Sequence, residues 1–450
     1  MPDLLHLPHL RCLEVDDHED HYRIIAAGNV EPTACPESRC RSGLYRHGSQ
    51  AQTYIDTPMH GKRVILEIDR KRYRCKGCGK TLLEPLPDMD AKRNMTERLV
   101  KFIEQHCLKE TFAALSRQVG IDDKTIRHVF DDYVEAKKRE VHFSTPKVLG
   151  IDELKIVGEY RCMLTNIEKL TVFDLLPSRK KSELTAHVKS LPDKENVEVV
   201  VMDMWAIYKQ VVQAELPGRL IVADKWHVCR MANEAVERVR KAIRKGLDTR
   251  TRLKLKDERF VLLKRRKSLS PSDQEKLNKW GTLFPALLTA YEAKERFFDL
   301  YGHASREDAE AAAEAWEKQL DNDILWAFKD VRRALKNWWN EIFNYYGTSV
   351  TNAYTESINR LAKDINRMGR GYSFEVVRAR LLYDEKPRKK TRETLRKKVR
   401  KEVTSNFFTR AVPTTIPQAK TYETVIQESV VEYGAHIPTL CDLLESGYFD

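Results

Sequence analysis

The sequence of 450 residues contains no long hydrophobic run. No segment approaches the ~20 consecutive apolar residues that a membrane-spanning helix needs, so we expect no membrane span. The first residues also lack a basic stretch followed by an apolar one, which predicts that there is no secretory signal. Nine cysteines are too few for a disulfide framework, and their number is odd. These absences argue against a membrane protein or a disulfide-stabilised secreted domain and favour the reducing cytoplasm.

Positive charge is concentrated in two blocks. Lys and Arg exceed Asp and Glu by 79 − 67 = +12. Residues 386–401 carry ten bases and one acid, and residues 236–267 carry fourteen bases and four acids, so the rest of the chain has a net charge of 12 − 19 = −7. Localised positive charge favours a polyanionic partner. Each block could instead be a solvated helix face or a disordered linker.

Four cysteines fall in two pairs near the N-terminus, separated by segments that alternate like the strands of a hairpin. Clustered thiolates in a reduced protein bind zinc tetrahedrally, and the metal stabilises a module too small to build its own core. We predict a zinc-ribbon-like module over residues 1–90, in which structural Zn²⁺ is bound by Cys35, Cys40, Cys75 and Cys78. The alternative is unliganded or redox-active cysteines. The sequence pattern leaves residues 1–30 poorly defined, apart from a short strand bounded by Asn29 and Pro32.

Residues 91–145 have the pattern of three helices. Gly120 and the three residues after it separate the second helix from the third, a spacing typical of a helix-turn-helix that places its later helix in the major groove of double-stranded DNA. The residues of the third helix expected to face DNA are Lys124, Thr125, Arg127 and His128. An ordinary three-helix scaffold would show a similar pattern.

From residue 146 the pattern changes to an α/β one. Strands are predicted at 148–154, 160–166, 171–176, 197–202 and 220–223, with helices at 181–191 and about 205–216. This order is typical of an RNase H-like mixed sheet, in which the first and fourth strands are neighbours. We therefore predict a multidomain α/β protein, whose catalytic core occupies residues 146–228 and 346–385. A long all-helical insertion at 229–345 interrupts the core, and a basic segment and tail follow at 386–450.

Three acidic residues stand out within this core. Asp152 and Asp203 each follow an apolar run, and Glu356 lies in a segment that reads as a helix. Carboxylates at the ends of two neighbouring strands, joined by one from a helix, can hold two Mg²⁺ or Mn²⁺ ions, which can drive in-line attack on a phosphodiester. Alternatively, the two aspartates only end strands as turn residues, and Glu356 lies on a solvated helix face.

Other polar residues surround these acids in the sequence. Asn352, Asn359 and Lys363 share the helix face of Glu356, where they could bind metal, water and phosphate. His227 could contact phosphate or hold Asp203 in place, and Asp224 could cap the following helix. His227 could equally be a hydrogen-bonded core residue. Strand alternation should turn Glu153 away from Asp152.

Together these motifs resemble the ISL3 family of insertion-sequence transposases, which are bacterial DDE enzymes. The resemblance rests on Gly150-Ile-Asp-Glu153, Val201-Met-Asp-Met-Trp205, Asp224-Lys-Trp-His227, Asn352 through Glu356 to Asn359, the cysteine pair Cys75/Cys78 and the helix-turn-helix. It implies that Asp152, Asp203 and Glu356 are the catalytic metal ligands. It also implies a helical insertion before the Glu356 helix.

The expected function is therefore a transposase that binds the terminal inverted repeats of its element, cleaves the strand and joins it to target DNA. A homodimer on DNA is expected because two ends must be held together, and bacterial nucleoid DNA is the expected location. A metal-dependent nuclease that cuts without joining, and a non-catalytic DNA-binding regulator, are the alternatives.

Overall fold

The computed structural model describes residues 5–37 and 40–384, which divide into two compact units with the boundary between His142 and Phe143. The predicted basic segment and tail at 386–450 lie outside the described residues. In the described part of the chain, no helix is both long enough and apolar enough to cross a membrane.

A five-stranded sheet forms the first part of the N-terminal unit. Its strands are β1 (Leu10–Asp17), β2 (His21–Gly28), β3 (Leu44–Met59), β4 (Lys62–Cys75) and β5 (Thr81–Leu83). The order is β1-β2-β4-β3, with β5 paired to β4, and only the β2–β4 pair is parallel. The predicted hairpin between the cysteine pairs is confirmed as β3–β4, although both strands are longer than predicted.

The predicted short strand between Asn29 and Pro32 is wrong, because residues 29–34 carry no strand. The sequence left the rest of residues 1–30 undefined, and the structure has an antiparallel pair of strands there, β1 and β2. Most of β1 is half-buried or exposed, and its pairing with β2 shifts register between Cys12 and Glu14. Its apolar residues therefore do not alternate with a period of two, which is the signal that reveals a strand in a sequence.

Three helices complete the N-terminal unit: α1 (Glu97–His106), α2 (Phe112–Val119) and α3 (Asp123–Glu140). Side chains of Thr96, Thr111 and Asp122 cap their N-termini by accepting backbone N–H bonds. Gly120 ends α2 in the left-handed region, with φ 76°, where glycine is favoured. The turn between α2 and α3 therefore has helix-turn-helix spacing, as predicted.

The second unit is built on another five-stranded sheet. Its strands are β6 (Val148–Ile156), β7 (Glu159–Asn166), β8 (Thr171–Leu176), β9 (Val199–Met202) and β10 (Leu220–Ala223). The order is β10-β9-β6-β7-β8, in which β6, β9 and β10 run parallel and β7 and β8 are antiparallel. The predicted adjacency of the first and fourth strands of this sheet is thereby confirmed.

One face of this sheet is apolar. Helices α4 (Lys181–Ser190) and α5 (Ala206–Glu215) pack against it, with a core that includes Leu149, Ile151, Val200, Met202, Leu184, Val188, Tyr208 and Val211. Because strand side chains alternate between faces, Gly150 and Asp152 lie on the other side of the sheet. That second face carries the candidate site.

A helical insertion follows β10. Its helices are α6 (Lys225–Arg244), α7 (Thr249–Asp257), α8 (Arg259–Leu263), α9 (Pro271–Leu283), α10 (Pro285–Asp299), α11 (Arg306–Lys318), α12 (Asn322–Leu325), α13 (Lys329–Phe343) and α14 (Tyr345–Thr348). They share a hydrophobic core in which Trp280 and Trp316 are each 2% exposed. Trp280 and Trp316 therefore lie at the centre of a helical domain.

Two helices bring the chain back to the sheet, α15 (Ala353–Gly369) and α16 (Phe374–Tyr383). Helix α15 crosses β6 at Gly150, where the Thr355 and Thr165 hydroxyls hydrogen-bond across the gap at 2.6 Å. Helix α16 is tied to β8 because the Arg378 guanidinium donates to both carboxylate oxygens of Asp174. The Glu356 helix thus packs on the polar face of the sheet.

Replacing Gly150 by alanine should loosen this packing. A Cβ atom there would approach the side-chain oxygens of Thr165, Thr355 and Asn352 to less than 3.0 Å. Because β6 and α15 would have to separate, we expect a loss of about 1–3 kcal/mol in unfolding free energy, measured by urea denaturation. Gly246→Ala is the control, since nothing lies within 4 Å of its Cβ position. Equal stability of the two variants would contradict the close packing.

Candidate active site

Three aspartates lie in one row across neighbouring strands. The ladders pair Ile151 with Met202 and Met202 with Ala223, and each of these residues is followed by an aspartate. Because the three strands are parallel and in register, Asp152, Asp203 and Asp224 occupy equivalent positions along the sheet. Two of these three were selected from the sequence as catalytic candidates, and the third as an accessory residue.

Of the two candidate catalytic aspartates, Asp152 is the more deeply buried. Its residue is 4% exposed, and Asn359 Nδ2 donates to its Oδ2 at 2.7 Å. Burial, together with the nearby Asp203 carboxylate, raises the pKa of Asp152 to about 8. The Asp152 carboxyl group therefore holds a proton near neutral pH, and a bound metal cation would take the place of that proton.

His227 lies between two acids. Its Nδ1 is 2.8 Å from Asp203 Oδ1 and 3.0 Å from Asp224 Oδ2, and the hydrogen-bond geometry is satisfied with Asp224. Burial alone would lower the pKa of His227, but the contacts with Asp203 and Asp224 outweigh it and raise the pKa to about 10. A protonated His227 supplies positive charge beside Asp203, in line with the prediction that it holds this aspartate.

Asp224 connects three elements from a fully buried position, where it is 1% exposed. Its side chain caps α6 by accepting from the backbone N–H of His227, as the sequence predicts, and its Oδ1 accepts from the backbone N–H of Asn352 at 3.0 Å. The start of α6 and the start of α15 are therefore joined through one carboxylate.

Glu356 faces this row from the first turn of α15. Burial and the charge of Asp224 raise its pKa to about 7, and Asp203 contributes in the same direction. Asn352 and Asn359 lie about one turn on either side of Glu356 on the same helix face, and they contact Asp224 and Asp152, so this face of α15 lies against the row of aspartates.

The other predicted residues of α15 have different positions. Asn352 is fully buried, and its Nδ2 donates to the backbone carbonyl of Ile151 at 3.3 Å. Lys363 is exposed, and none of the hydrogen bonds and ion pairs of residues 5–37 and 40–384 joins it to the acids. The amides thus contact the protein rather than open solvent, and the structure does not bring Lys363 to the cluster.

The donor set fits divalent metal ions. Three buried oxygens at the site have no hydrogen-bond donor among the described residues: Glu356 Oε1, Asn352 Oδ1 and Asn359 Oδ1. Buried polar atoms are nearly always satisfied, so this concentration calls for a ligand. Oxygen donors of this kind suit the hard ions Mg²⁺ and Mn²⁺. The oxygen of Asp203, the oxygen of Asp224 and the nitrogen of His227 also lie within 4.8 Å of one another.

Some supporting residues were not predicted. Gly150, Thr165 and Thr355 hold α15 against the sheet, and Arg179 pairs with Glu153 at 2.5 Å while lying over the rings of Tyr160 and Trp205. The Arg179 contact is consistent with Glu153 turning away from the metal site. The threonines gave no sequence signal, because they meet only through a contact 190 residues apart.

The four N-terminal cysteines form a second candidate metal site. All four Sγ atoms lie within 4.8 Å of one another, with Cys35–Cys78 and Cys40–Cys75 each at 3.5 Å. Zn–S bonds of about 2.3 Å place the sulfurs of a tetrahedral site about 3.8 Å apart, which is close to this spacing. Backbone N–H groups of Cys78 and Gly77 lower the pKa of Cys75 to about 6. The cluster therefore fits structural zinc.

The predicted DNA-facing residues lie on α3. Lys124, Arg127 and His128 are exposed, whereas Ile126, Val129, Phe130 and Val134 are buried against the other helices. Thr125 differs, since its hydroxyl donates to Asp122 Oδ2 at 2.8 Å as part of the helix cap. The helix thus presents a polar side of mixed charge away from its core, with Lys124, Arg127 and His128 near its N-terminal end.

Comparison with known families agrees with this fold and site. A transposase family model, the DDE domain of ISL3 transposases, matches residues 149–381, which is more than half of the chain. The helix-turn-helix domain of transposase family ISL3 matches residues 84–134, and the zinc finger of the transposases of IS204, IS1001, IS1096 and IS1165 matches residues 31–78. The class defined by the fold and site is a DDE transposase. The chain belongs to the ISL3 family of transposases.

A curated relative spans most of the same length. The transposase for insertion sequence element IS1001 of Bordetella parapertussis is 25% identical over 356 residues, covering 76% of this chain and 87% of the relative. The similarity therefore extends well beyond a single domain.

Metal binding at the carboxylate cluster should depend on pH. The raised pKa values, about 8 for Asp152 and about 7 for Glu356, mean that metal displaces protons at neutral pH. We expect the affinity for Mn²⁺ to rise with pH up to about 8 and then level off. Between the ordinary pKa near 4 and the raised values, the metal-free native state binds more protons than the unfolded chain, so its stability falls as pH rises.

Titration calorimetry in two buffers of different ionisation enthalpy would count the protons released. Glu153→Gln is the matched control because it removes the neighbouring carboxylate that pairs with Arg179, and proton release should persist. A pH-independent affinity for Mn²⁺ would show that the buried carboxyl groups do not bind the ion.

Zinc removal should affect the N-terminal unit. We expect one zinc per chain, measured by elemental analysis, and its loss in Cys75→Ser. Because structural zinc contributes about 10–16 kcal/mol of apparent binding free energy in small modules, residues 31–78 should become sensitive to limited proteolysis. Cys12→Ser, outside the cluster, should change neither result. Full zinc content in Cys75→Ser would contradict the assignment.

Proposed function

We propose that this transposase binds the terminal inverted repeats of its insertion sequence, cleaves the DNA strand and joins the exposed 3′-hydroxyl to target DNA. The observation that carries the proposal is the register-matched row of aspartates beside the Glu356 helix, together with the buried oxygens of Glu356, Asn352 and Asn359 that have no hydrogen-bond donor among the described residues. Strand cleavage and joining exchange one phosphodiester for another, so a single site can perform both steps.

Asp152, Asp203 and Glu356 would hold two divalent ions, Mg²⁺ or Mn²⁺. Such ions activate the attacking water or 3′-hydroxyl and stabilise charge on the leaving oxygen. The protein's own residues fix the ligands: Asn359 donates to Asp152, and His227 lies against Asp203. Asp224 and Asn352 support the ligands by joining the strand ends to α15, and Lys363 is left for a contact with DNA.

DNA ends would be recognised by the N-terminal unit. Helix α3 would enter the major groove, where Lys124, Arg127 and His128 offer donors to bases and phosphates. Thr125, whose hydroxyl donates to the capping carboxylate of Asp122, would contribute its methyl group to a thymine. The zinc-binding module would add contacts with the DNA phosphate backbone.

We further propose that the active form is a homodimer on DNA, acting on the nucleoid within the bacterial cytoplasm. Two element ends must be held together before both are joined to one target. Exposed bases in the helical insertion and the basic block at 386–401 are consistent with a long DNA contact.

Replacing the acids should separate chemistry from binding. Asp203→Asn and Glu356→Gln should each reduce cleavage and strand transfer by about 10³-fold or more, because each removes charge that stabilises the transition state by several kcal/mol. DNA affinity should remain, since α3 and the zinc module are unchanged. The measurement uses labelled oligonucleotides carrying the element end, with Mg²⁺ or Mn²⁺ and separate product bands for cut and joined DNA.

Glu153→Gln is again the matched control and should retain both products. Cleavage without any joined product in the unaltered protein would favour a nuclease. Absence of both products, with DNA binding and biological effect retained in Asp203→Asn, would favour a regulator.

A further inference from the structure

The basic block at 236–267 contains both ion-paired bases and a run of unpaired ones in the structure. Five of its fourteen bases are paired: Arg238 with Asp330, Arg240 with Glu237, Lys264 with Asp273, Arg265 with Asp299 and Arg266 with Glu292. These charges serve the packing of the insertion. They leave the middle of the block to be explained.

The middle of the block forms what we name the basic face. It comprises six exposed residues without an ion-pair partner among the described residues: Lys241, Lys245, Arg250, Arg252, Lys254 and Lys256. Residues 241–256 contain seven bases and one acid, a net charge of 7 − 1 = +6. The one acid, Asp248, is occupied in capping α7, where it accepts from the backbone N–H groups of Arg250 and Thr251.

Helix α7 carries most of this face. Leu255 is its one buried residue, so the helix packs along a narrow line and exposes most of its circumference. Arg250 and Lys254 are one turn apart, as are Arg252 and Lys256, and the two pairs flank the exposed Leu253. Basic side chains spaced along a helix in this way can bind several phosphates in a row, whereas a single small anion would contact only one or two of them.

The basic face lies near the far end of α6, because Arg240 Nη1 of α6 donates to the carbonyl of Leu255 in α7 at 3.2 Å. Asp224 caps the start of α6, whose 20 residues span about 30 Å, and Lys241 and Lys245 lie at its far end. Trp226, which is exposed, and Lys241 are about 60° apart around the axis of α6, so both lie on the same side of this helix. At 3.4 Å per base pair, the distance corresponds to about nine base pairs of duplex.

Resting on the proposed function, we propose that the basic face binds the phosphate backbone of double-stranded DNA about nine base pairs from the bond that is cut. It contributes affinity without base specificity, because lysine and arginine on an exposed helix reach phosphates in any sequence. Recognition of the end sequence stays with the N-terminal unit, and the basic face holds the flanking duplex along α6. A second copy of the chain is the competing occupant, since exposed Leu253 could also pack against protein.

The test compares two triple variants of the full chain. Arg250→Gln/Lys254→Gln/Lys256→Gln removes three charges from the basic face. Lys279→Gln/Lys329→Gln/Lys336→Gln removes three exposed charges, also without ion-pair partners among the described residues, from elsewhere in the insertion. Glutamine retains helix propensity, and equal thermal unfolding midpoints would confirm that both variants are folded. The basic block at 386–401 is present in every protein compared.

Duplex binding is measured by fluorescence anisotropy against salt concentration and against duplex length on each side of the cleavage position. For the unaltered protein and the control variant, affinity should increase about tenfold once one flank exceeds about nine base pairs. The basic-face variant should lose this increase, and its slope of log affinity against log salt should be shallower by about 2–3. Cleavage of a duplex with a short flank should be unchanged.

Three outcomes would overturn the inference while leaving the proposed function intact. They are an unchanged salt slope in the basic-face variant, an equal loss in the control variant, or altered self-association of the basic-face variant without DNA in analytical ultracentrifugation. The last result would identify a protein interface. Failure of the unaltered protein to cut or join end DNA would instead contradict the proposed function itself.

Discussion

The site depends on bringing buried carboxylates together against their mutual repulsion. Desolvation and like charge both disfavour ionised acids, and both raise the pKa of Asp152. The parallel register of three strands imposes the proximity, because each aspartate directly follows a paired, buried residue. His227 and the amide of Asn359 offset part of the cost. A divalent cation would offset the rest, so the repulsion that makes the site unfavourable when metal-free also favours metal binding.

The position of Glu356 relies on a different kind of constraint. Helix α15 can approach β6 closely because Gly150 has no side chain, and the space is used by hydroxyl and amide groups of Thr165, Thr355 and Asn352. These hydrogen bonds fix the rotation of α15 about its axis and its distance from the sheet, whereas an apolar contact would allow the helix to shift along the sheet. Precision at Glu356 therefore comes from polar contacts buried beneath it.

Much of this arrangement was predictable from local sequence. Apolar runs ending in Asp152 and Asp203 indicated strand ends, and the spacing of Asn352, Glu356 and Asn359 indicated one helix face. The partners of these residues were less predictable: Asn359 binds Asp152 across 207 residues, and Thr165 meets Thr355 across 190. Such contacts leave no periodic signal. The exposed strand β1 was missed for a related reason, since its alternation is weak.

The helical insertion does not disturb the position of Glu356, because hydrogen bonds fix both ends of the insertion to the catalytic core. Asp224 accepts from the backbone N–H of Asn352, and Asn344 Nδ2 donates to the carbonyl of Ile221 at 2.8 Å. Closing the loop there lets the enclosed helices vary without moving the strand ends or α15. Helix α6 itself starts at the capping carboxylate of Asp224, so the insertion begins beside the acids and is anchored to the same residue that holds the start of α15.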